Sequence, residues 1–334
     1  MRVRSLRFGV IGTGLIGGSL LRRLTAAGTD AVGWDPAPAA MEQAAAMGVR
    51  LTEHLADAVT DRDIVFLATP LSTLPQIISQ VAAHVAADAV VTDVGSTKTD
   101  VAATASASPL ADRFIPGHPM AGSEKSGLTA ADVDLFDGAT WVLCPADSVQ
   151  LHRVRLLITV ITTILNAQVT VMTATEHDEA VALSSHIPHI LAGALAGSVD
   201  RGPAGNAVLN LAAGSFRDGT RVAGTTPQRT VDMLIHNADA VTGRFREVQR
   251  LLAEMTAAVA DRDAAGLTEL FAAARRVRHR LVEGDGHRAV REFTDAAAER
   301  RFLAAMGSRG ACVTGCSISG DRASYSLVEP FSEA

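Results

Sequence analysis

Three cysteines in 334 residues are too few for a disulfide framework. Cys312 and Cys316 stand four apart, which fits neither a C-x-x-C redox pair nor a four-ligand zinc site. With Cys144 they point to a reducing, cytoplasmic setting. Long apolar runs are missing as well. None reaches the ~18–20 residues of a membrane span, and the nearest, 183–199, is interrupted by Ser184, Ser185, His186, Pro188 and His189. The N-terminus carries Arg2, Arg4 and Arg7 but then only a short apolar stretch with no small-residue cleavage site, unlike a signal peptide. No membrane partner is expected. A concentrated basic stripe is also lacking: net charge is −6, and Arg275, Arg276, Arg278 and Arg280 read as the solvated face of a helix. Nucleic acid is therefore not an expected partner. From Ser148 to Ala334 there is no lysine, so that half cannot supply a catalytic one.

What is present describes a globular chain of about two domains at roughly 150 residues each. Hydrophobic residues make up 48% and charged residues 20%, enough to bury a sizeable core without staples. The first 145 residues alternate β-rich runs with helical patterns. Strands are expected at 7–11, 30–34, 64–68, 89–93, 113–116 and 140–143, with helices such as 15–27 and 74–86 between them. That alternation predicts an α/β Rossmann-like, doubly wound parallel sheet with both faces covered. Beyond Cys144-Pro145 come a helix at 148–166 and one strand at 168–172. Helical patterns then cover 176–200, 204–213, 227–260, 263–283 and 286–306. The expected organisation is a dinucleotide-binding domain at 1–145, an all-α domain at 146–306 and an irregular tail at 307–334.

Gly12-Thr13-Gly14-Leu15-Ile16-Gly17 follows the first strand and opens the first helix. In that context each glycine has a mechanical role. Gly12 makes the tight turn, Gly14 allows close approach of a pyrophosphate, and Gly17 permits helix–strand packing. The helix N-terminus offers free N–H groups to the phosphates. The competing reading is a glycine-rich turn with no ligand. Asp35 ends the second strand 18 residues past Gly17, near the roughly 20 expected for the acid that binds a ribose 2′-hydroxyl. Its carboxylate would repel a 2′-phosphate, so NAD is expected rather than NADP. Asp35 can equally cap the next helix ahead of Pro36.

Ligands of doubly wound sheets sit beyond the carboxyl ends of the strands. The segments expected there are Gly12–Gly17, Thr69-Pro70, Asp93–Lys98 and Gly117–Ser126. Thr69-Pro70 would lie against the nicotinamide half. His118 precedes Pro119, which biases it to extended backbone. A histidine there can take a proton from an alcohol as hydride leaves its carbon, or it can be a structural loop residue.

Five blocks together resemble the prephenate/arogenate dehydrogenase family. They are the glycine-rich turn, Asp93-Val-Gly-Ser-Thr-Lys98, His118-Pro-Met-Ala-Gly-Ser-Glu-Lys-Ser-Gly127, Glu176-His-Asp178 with Ser185-His-Ile-Pro-His189, and Leu211–Arg221 with its Ser-Phe-Arg-Asp-Gly-Thr-Arg ending. They occur in family order across roughly residues 6–245. The resemblance implies NAD-dependent oxidation of a cyclohexadienol with loss of carbon dioxide: prephenate to 4-hydroxyphenylpyruvate in tyrosine biosynthesis, or arogenate to tyrosine. It makes His118 the base, with Ser96 as a hydrogen-bond partner at the same oxygen. Arg221 becomes the clamp on a substrate carboxylate, since a planar guanidinium can grip one through two bonds. Glu124 and Asp218 would orient it, and His186 and His189 would line the pocket. It also implies a homodimer through the helical domain, and no metal.

Plainer readings stand beside these. Asp218 and Arg221 can form a surface ion pair worth about 0–1 kcal/mol. His186 and His189 have metal-pair spacing but no obvious third ligand. Ser96 can cap a helix starting near Thr97. Thr175 can cap the next helix, with Asp178 as its box partner. Lys98 is either a surface lysine or a cation on the cofactor side. The chain departs from the family at Gln228-Arg229-Thr230, where Met-Trp is frequent, and at Gly219, where Met is common. The tail is shorter than the regulatory domain that some members append. A dinucleotide-binding regulator without catalysis is the alternative of another class. Retention of His118, Ser96, Glu124 and Arg221 together speaks against it. A β-hydroxyacid dehydrogenase shares the two-domain plan, but the missing lysine excludes its mechanism.

Overall fold

The run Ile64–Leu67 is apolar at every position, as a strand buried on both faces must be. In the computed structural model, which describes residues 3–123, 125–202, 205–283 and 286–330, it forms the middle of a parallel sheet. The strands are β1 (Arg7–Ile11), β2 (Asp30–Trp34), β3 (Ile64–Leu67), β4 (Val90–Asp93) and β5 (Phe114–Ile115), in the order β2-β1-β3-β4-β5. Alternate side chains serve opposite faces. Phe8, Val10, Ile64 and Phe66 pack with Leu20, Leu21 and Leu24 of the helix Leu15–Ala26. Val65, Leu67 and Val91 pack with Ile77, Ile78 and Val81 of the helix Leu74–Ala82 and with Val101 of the helix Thr99–Ser106.

Thr140–Leu143, expected in that sheet, belongs to another. Six strands compose it: β6 (Gly117–Pro119), β7 (Thr140–Leu143), β8 (Gln168–Val171), β9 (His287–Phe293), β10 (Cys312–Ser319) and β11 (Arg322–Glu329). Their order is β6-β7-β8-β10-β11-β9, with only β7 and β8 parallel. The irregular tail expected at 307–334 is therefore corrected. Ala323, Tyr325 and Leu327 alternate inward, and Ser319 pairs with Arg322 across a two-residue Gly320-Asp321 turn in which Gly320 has φ 57°. Glu299 anchors the hairpin: its carboxylate accepts both nitrogens of the Arg155 fork and the Tyr325 hydroxyl (2.5 Å). The helix expected at 286–306 is likewise β9 followed by the helix Ala296–Ala304.

The helix Leu151–Thr163 and β8 pack into the core of the nucleotide-binding half. The helical stretch begins after Met172, later than the boundary expected at 145, and gives way to β9 at His287. Ala174–Arg201 is one helical run of 28 residues, long and apolar enough by length and composition to cross a membrane. The interruption expected at Ser184–His189 does not break it. Instead a π-helical turn, Ala182–His186, sits just before Pro188. Pro188 has no N–H to give the carbonyl four residues back, and its ring crowds that carbonyl, so the turn widens. The helix expected at 227–260 is broken at His236-Asn237 into Pro227–Ile235 and Ala238–Ala260.

Candidate active site

Strand register assembles the nucleotide end. Ile11 pairs with Trp34 and with Leu67, so Gly12, Asp35 and Thr69 emerge side by side where the strand order reverses about β1. Gly12 has φ 92°, and a Cβ on it would meet the Ala68 carbonyl oxygen at 2.7 Å. A Cβ on Gly17 would lie 1.9 Å from the Gly12 oxygen. Gly14 differs: a Cβ there would meet nothing within 4 Å. The first two glycines are demanded by the protein's own packing, whereas Gly14 keeps an open face above a helix N-terminus that carries no side-chain cap. That is the cradle a pyrophosphate needs. Leu15 is buried and Ile16 half-buried. Asp35 accepts from Thr13 N (2.7 Å), Thr13 Oγ1 (3.0 Å) and Ala37 N (2.9 Å). It braces the glycine-rich turn and does not cap the following helix, which starts at Ala40. The Thr69 hydroxyl is buried without a partner among the described residues, and Pro70 beside it is exposed. These residues fit a bound dinucleotide.

The reacting end rests on β6, not on a loop as expected. His118 pairs with Val142 of β7. Below it Asp93 gathers the ends of three segments: its carboxylate accepts from Gly95 N (2.8 Å), Gly117 N (3.1 Å) and Lys98 Nζ. Lys98 also donates to the Gly117 carbonyl (2.9 Å). It is fully buried, which excludes the surface-lysine reading.

His118 Nδ1 lies 2.9 Å from His177 Nε2, and His177 Nδ1 lies 2.8 Å from Asp178 Oδ1. The protons follow from what each group can do. An ionised carboxylate only accepts, so His177 Nδ1 carries its proton. His177 Nε2 then accepts from His118 Nδ1–H. The basic lone pair left over is on His118 Nε2. Burial, followed by the nearby His177, Lys98, His186 and Arg229, beside which a second positive charge is disfavoured, holds the His118 pKa well below the usual 6.5. Burial also lowers His177, against the opposing pull of Asp178. For Asp178, burial pushes the pKa up, but hydrogen bonds from His177, Thr99 and Lys98 outweigh it and keep the carboxyl ionised.

Asp178 accepts from Lys98 N and Thr99 N, both at 2.8 Å, and so caps the helix Thr99–Ser106 from another element. Ser96 is half-buried and does not cap that helix. The expected Thr175–Asp178 box is replaced by Thr173 and Glu176. Asn237 donates to the Asp178 carbonyl (2.8 Å) and to His186 Nδ1 (3.1 Å). This places the His186 proton on Nε2, which is buried without a partner among the described residues. Burial lowers the His186 pKa to about 4, so it stays a neutral donor. His189 is half-buried and bonds the Ser185 carbonyl (2.9 Å). Among the described residues no cluster of three His, Cys, Asp or Glu is placed to hold a metal ion.

The structure thus joins His118 to His177 and Asp178 and ties His186 to Asp178 through Asn237, while Ser96 stands on the loop between Gly95 and Lys98 and the nucleotide residues follow β1, β2 and β3. The Asp218–Arg221 partnership is not formed among the described residues: both side chains are exposed. They lie on the helix Gly214–Thr220 and the turn Arg221–Gly224, which pack on the helix Ile187–Arg201. Glu124 lies outside the described residues. His177 and Asn237 were not expected in the site. The adjacent Glu176-His177-Asp178 motif carried a signal for the first, and nothing local signalled the second.

A family model described as prephenate dehydrogenase, nucleotide-binding domain, matches residues 19–171. One described as prephenate dehydrogenase, dimerization domain, matches 173–273. The chain is 34% identical over 280 residues to the prephenate dehydrogenase of Bacillus subtilis (strain 168), covering 81% of this chain and 74% of that protein. It is 33% identical over 232 residues to that of Lactococcus lactis subsp. cremoris (strain MG1363), covering 68% of this chain but only 63% of the relative's length. The structure is similar to that of prephenate dehydrogenase from A. aeolicus in complex with hydroxyphenyl propionate and NAD+. There the TM-score is 0.77 and the identity 25%, over 84% of this chain and 100% of the other.

Proposed function

Because the chain belongs to the prephenate dehydrogenase family, we propose that it converts prephenate to 4-hydroxyphenylpyruvate and carbon dioxide with reduction of NAD, a step of tyrosine biosynthesis. The observation that carries this reading is the His118–His177–Asp178 chain beside a nucleotide cradle, with His118 held neutral. Bound NAD supplies the hydride acceptor. His118 Nε2 takes the proton of the ring hydroxyl as hydride departs from the same carbon. The growing imidazolium is shared toward His177 and stabilised by Asp178, so the buried charge has a partner. Loss of the ring carboxylate as carbon dioxide sends its electron pair into the ring and leaves a phenolate oxygen. His118 returns the proton to that oxygen, so no net proton is released and the base is restored.

Lys98, fully buried beneath His118 and paired with Asp93, adds to the burial that keeps His118 neutral. Arg221 supplies a clamp from the second half, as the family resemblance implies. A spectrophotometric assay at 340 nm, pairing prephenate or arogenate with NAD or NADP, tests the reading. Absence of turnover with every pair would remove it.

The cofactor preference rests on Asp35. With two protein bonds to Thr13 and one to Ala37 N, its carboxylate still has acceptor capacity for a ribose hydroxyl and none for an anionic phosphate. Asp35→Ala is expected to raise KM for NAD on the order of 10–100-fold, the scale of one charge-assisted hydrogen bond. It should also narrow the gap to NADP. Equal KM values for NAD in the two proteins would contradict the assignment.

We read the assembly as a homodimer through the helical half, which matches a model described as a dimerization domain. Leu195, Leu211, Ile235, Leu252, Phe271 and Leu281 expose large apolar side chains there, more than a solvated surface tolerates. Light scattering should give about twice 34.7 kDa; a single-chain mass would reject the dimer. Three free thiols support a reducing, cytoplasmic compartment.

A further inference from the structure

The segment Gln228-Arg229-Thr230 lies in the first turn of a helix and reaches the chain just beyond β6. The helix Pro227–Ile235 that carries it is tied to three segments that follow β3, β4 and β6. Asp232 accepts from Leu71 N after β3 (3.1 Å), and His236 at its end meets Asp100 after β4 (3.2 Å). Arg229 Nη1 donates to the Ser123 carbonyl after β6 (2.8 Å). Arg229 and Asp232 are three apart, so both ties leave from one face. A Cβ on Gly122 would stand 3.1 Å from Arg229 Nη2, which places the guanidinium against main chain only four residues beyond His118.

A guanidinium has five N–H donors, and here one bond among the described residues engages them. Its one recorded bond among the described residues is to a main-chain carbonyl, not to a carboxylate. An exposed planar cation with no carboxylate partner among the described residues, held by the Ser123 carbonyl over the loop that follows the base, offers its remaining N–H groups to an anion.

We propose that Arg229 is a specificity-determining residue that binds the side-chain carboxylate of the substrate and selects the α-keto acid over the α-amino acid. The inference rests on the cyclohexadienol dehydrogenase reading above. Of the substrate's two carboxylates, the one on the ring must become neutral carbon dioxide. The side-chain carboxylate keeps its charge throughout, so a cation there binds reactant and transition state alike. Next to that carboxylate, prephenate carries a keto oxygen, which can accept a further guanidinium N–H. Arogenate carries an ammonium there, which can accept nothing and repels the cation. Discrimination then comes from attraction to one substrate and repulsion of the other.

The test is steady-state kinetics of the wild type, Arg229→Met and Arg229→Lys with both substrates and saturating NAD. Arg229→Met should raise KM for prephenate about 10–100-fold while kcat changes by less than about threefold, the mark of binding shared by ground and transition states. It should lower the prephenate-to-arogenate ratio of kcat/KM at least tenfold, and Arg229→Lys should restore part of that ratio. An unchanged ratio in Arg229→Met would overturn the inference even if both substrates react. So would an equal fall in kcat for both, which would reduce Arg229 to a support of the Ser123 loop. If the wild type turns over neither substrate, the functional reading itself fails, and the inference falls with it.

Discussion

His118→Asn is expected to lower kcat by about 10²–10⁴, the usual contribution of a positioned general base. The asparagine amide can still donate toward His177 Nε2, in place of His118 Nδ1–H, so the His177–Asp178 pair below keeps its partner. What disappears is the lone pair of Nε2. The loss should therefore fall on kcat, with KM for NAD nearly unchanged, because the nucleotide cradle is built from β1, β2 and β3. The pH profile adds a second signature. Burial and neighbouring basic groups hold His118 below 6.5, and the base is active when neutral. Activity should therefore rise with pH through a value on the acid side of 6.5 and stay flat across neutral pH. In His118→Asn that limb should vanish. A variant whose kcat stays within threefold of wild type would dismiss His118 as the base.

The features legible in the sequence are those with local causes. β1, β2 and β7 stand where β-rich runs bounded by turns put them, and the roles of Gly12, Gly14 and Gly17 are those the backbone imposes. Short strands are harder to read. β6 is three residues long and holds a proline, which reads as a loop; only its pairing with β7 makes it a strand. The tail's hairpin does carry a local sign, Gly320-Asp321 between alternating runs, but Ser and Gly elsewhere in β10 hide it. Lys98 cannot be placed from sequence because its partner Asp93 and the Gly117 carbonyl converge on it only when β4 and β6 lie side by side. The same holds for Asp178, whose carboxylate caps a helix some 80 residues earlier in the chain. His118 is legible from chemistry and resemblance. The protons that make Nε2 its basic atom follow only from His177 and Asp178 in three dimensions.

The buried pair beneath His118 should dominate stability. Lys98→Met is expected to reduce the free energy of unfolding by about 3–5 kcal/mol, the cost of leaving a buried charge without its counterion. Lys98 and Asp93 have no exposed side-chain surface, so no water can replace the ammonium. The lost bond to the Gly117 carbonyl adds to the cost. The exposed pair Arg50–Asp30 gives the contrast: its side chains are 62% and 47% exposed, and Arg50→Gln should cost no more than about 1 kcal/mol. The double substitution Lys98→Met with Asp93→Asn should recover part of the loss, because a neutral amide oxygen can still accept from Gly95 N or Gly117 N without stranding a charge. Urea unfolding followed by circular dichroism measures all three. If Lys98→Met proved no worse than Arg50→Gln, the pair would not be the clamp that holds β6 to β4. His118 would then owe its position to β7 alone.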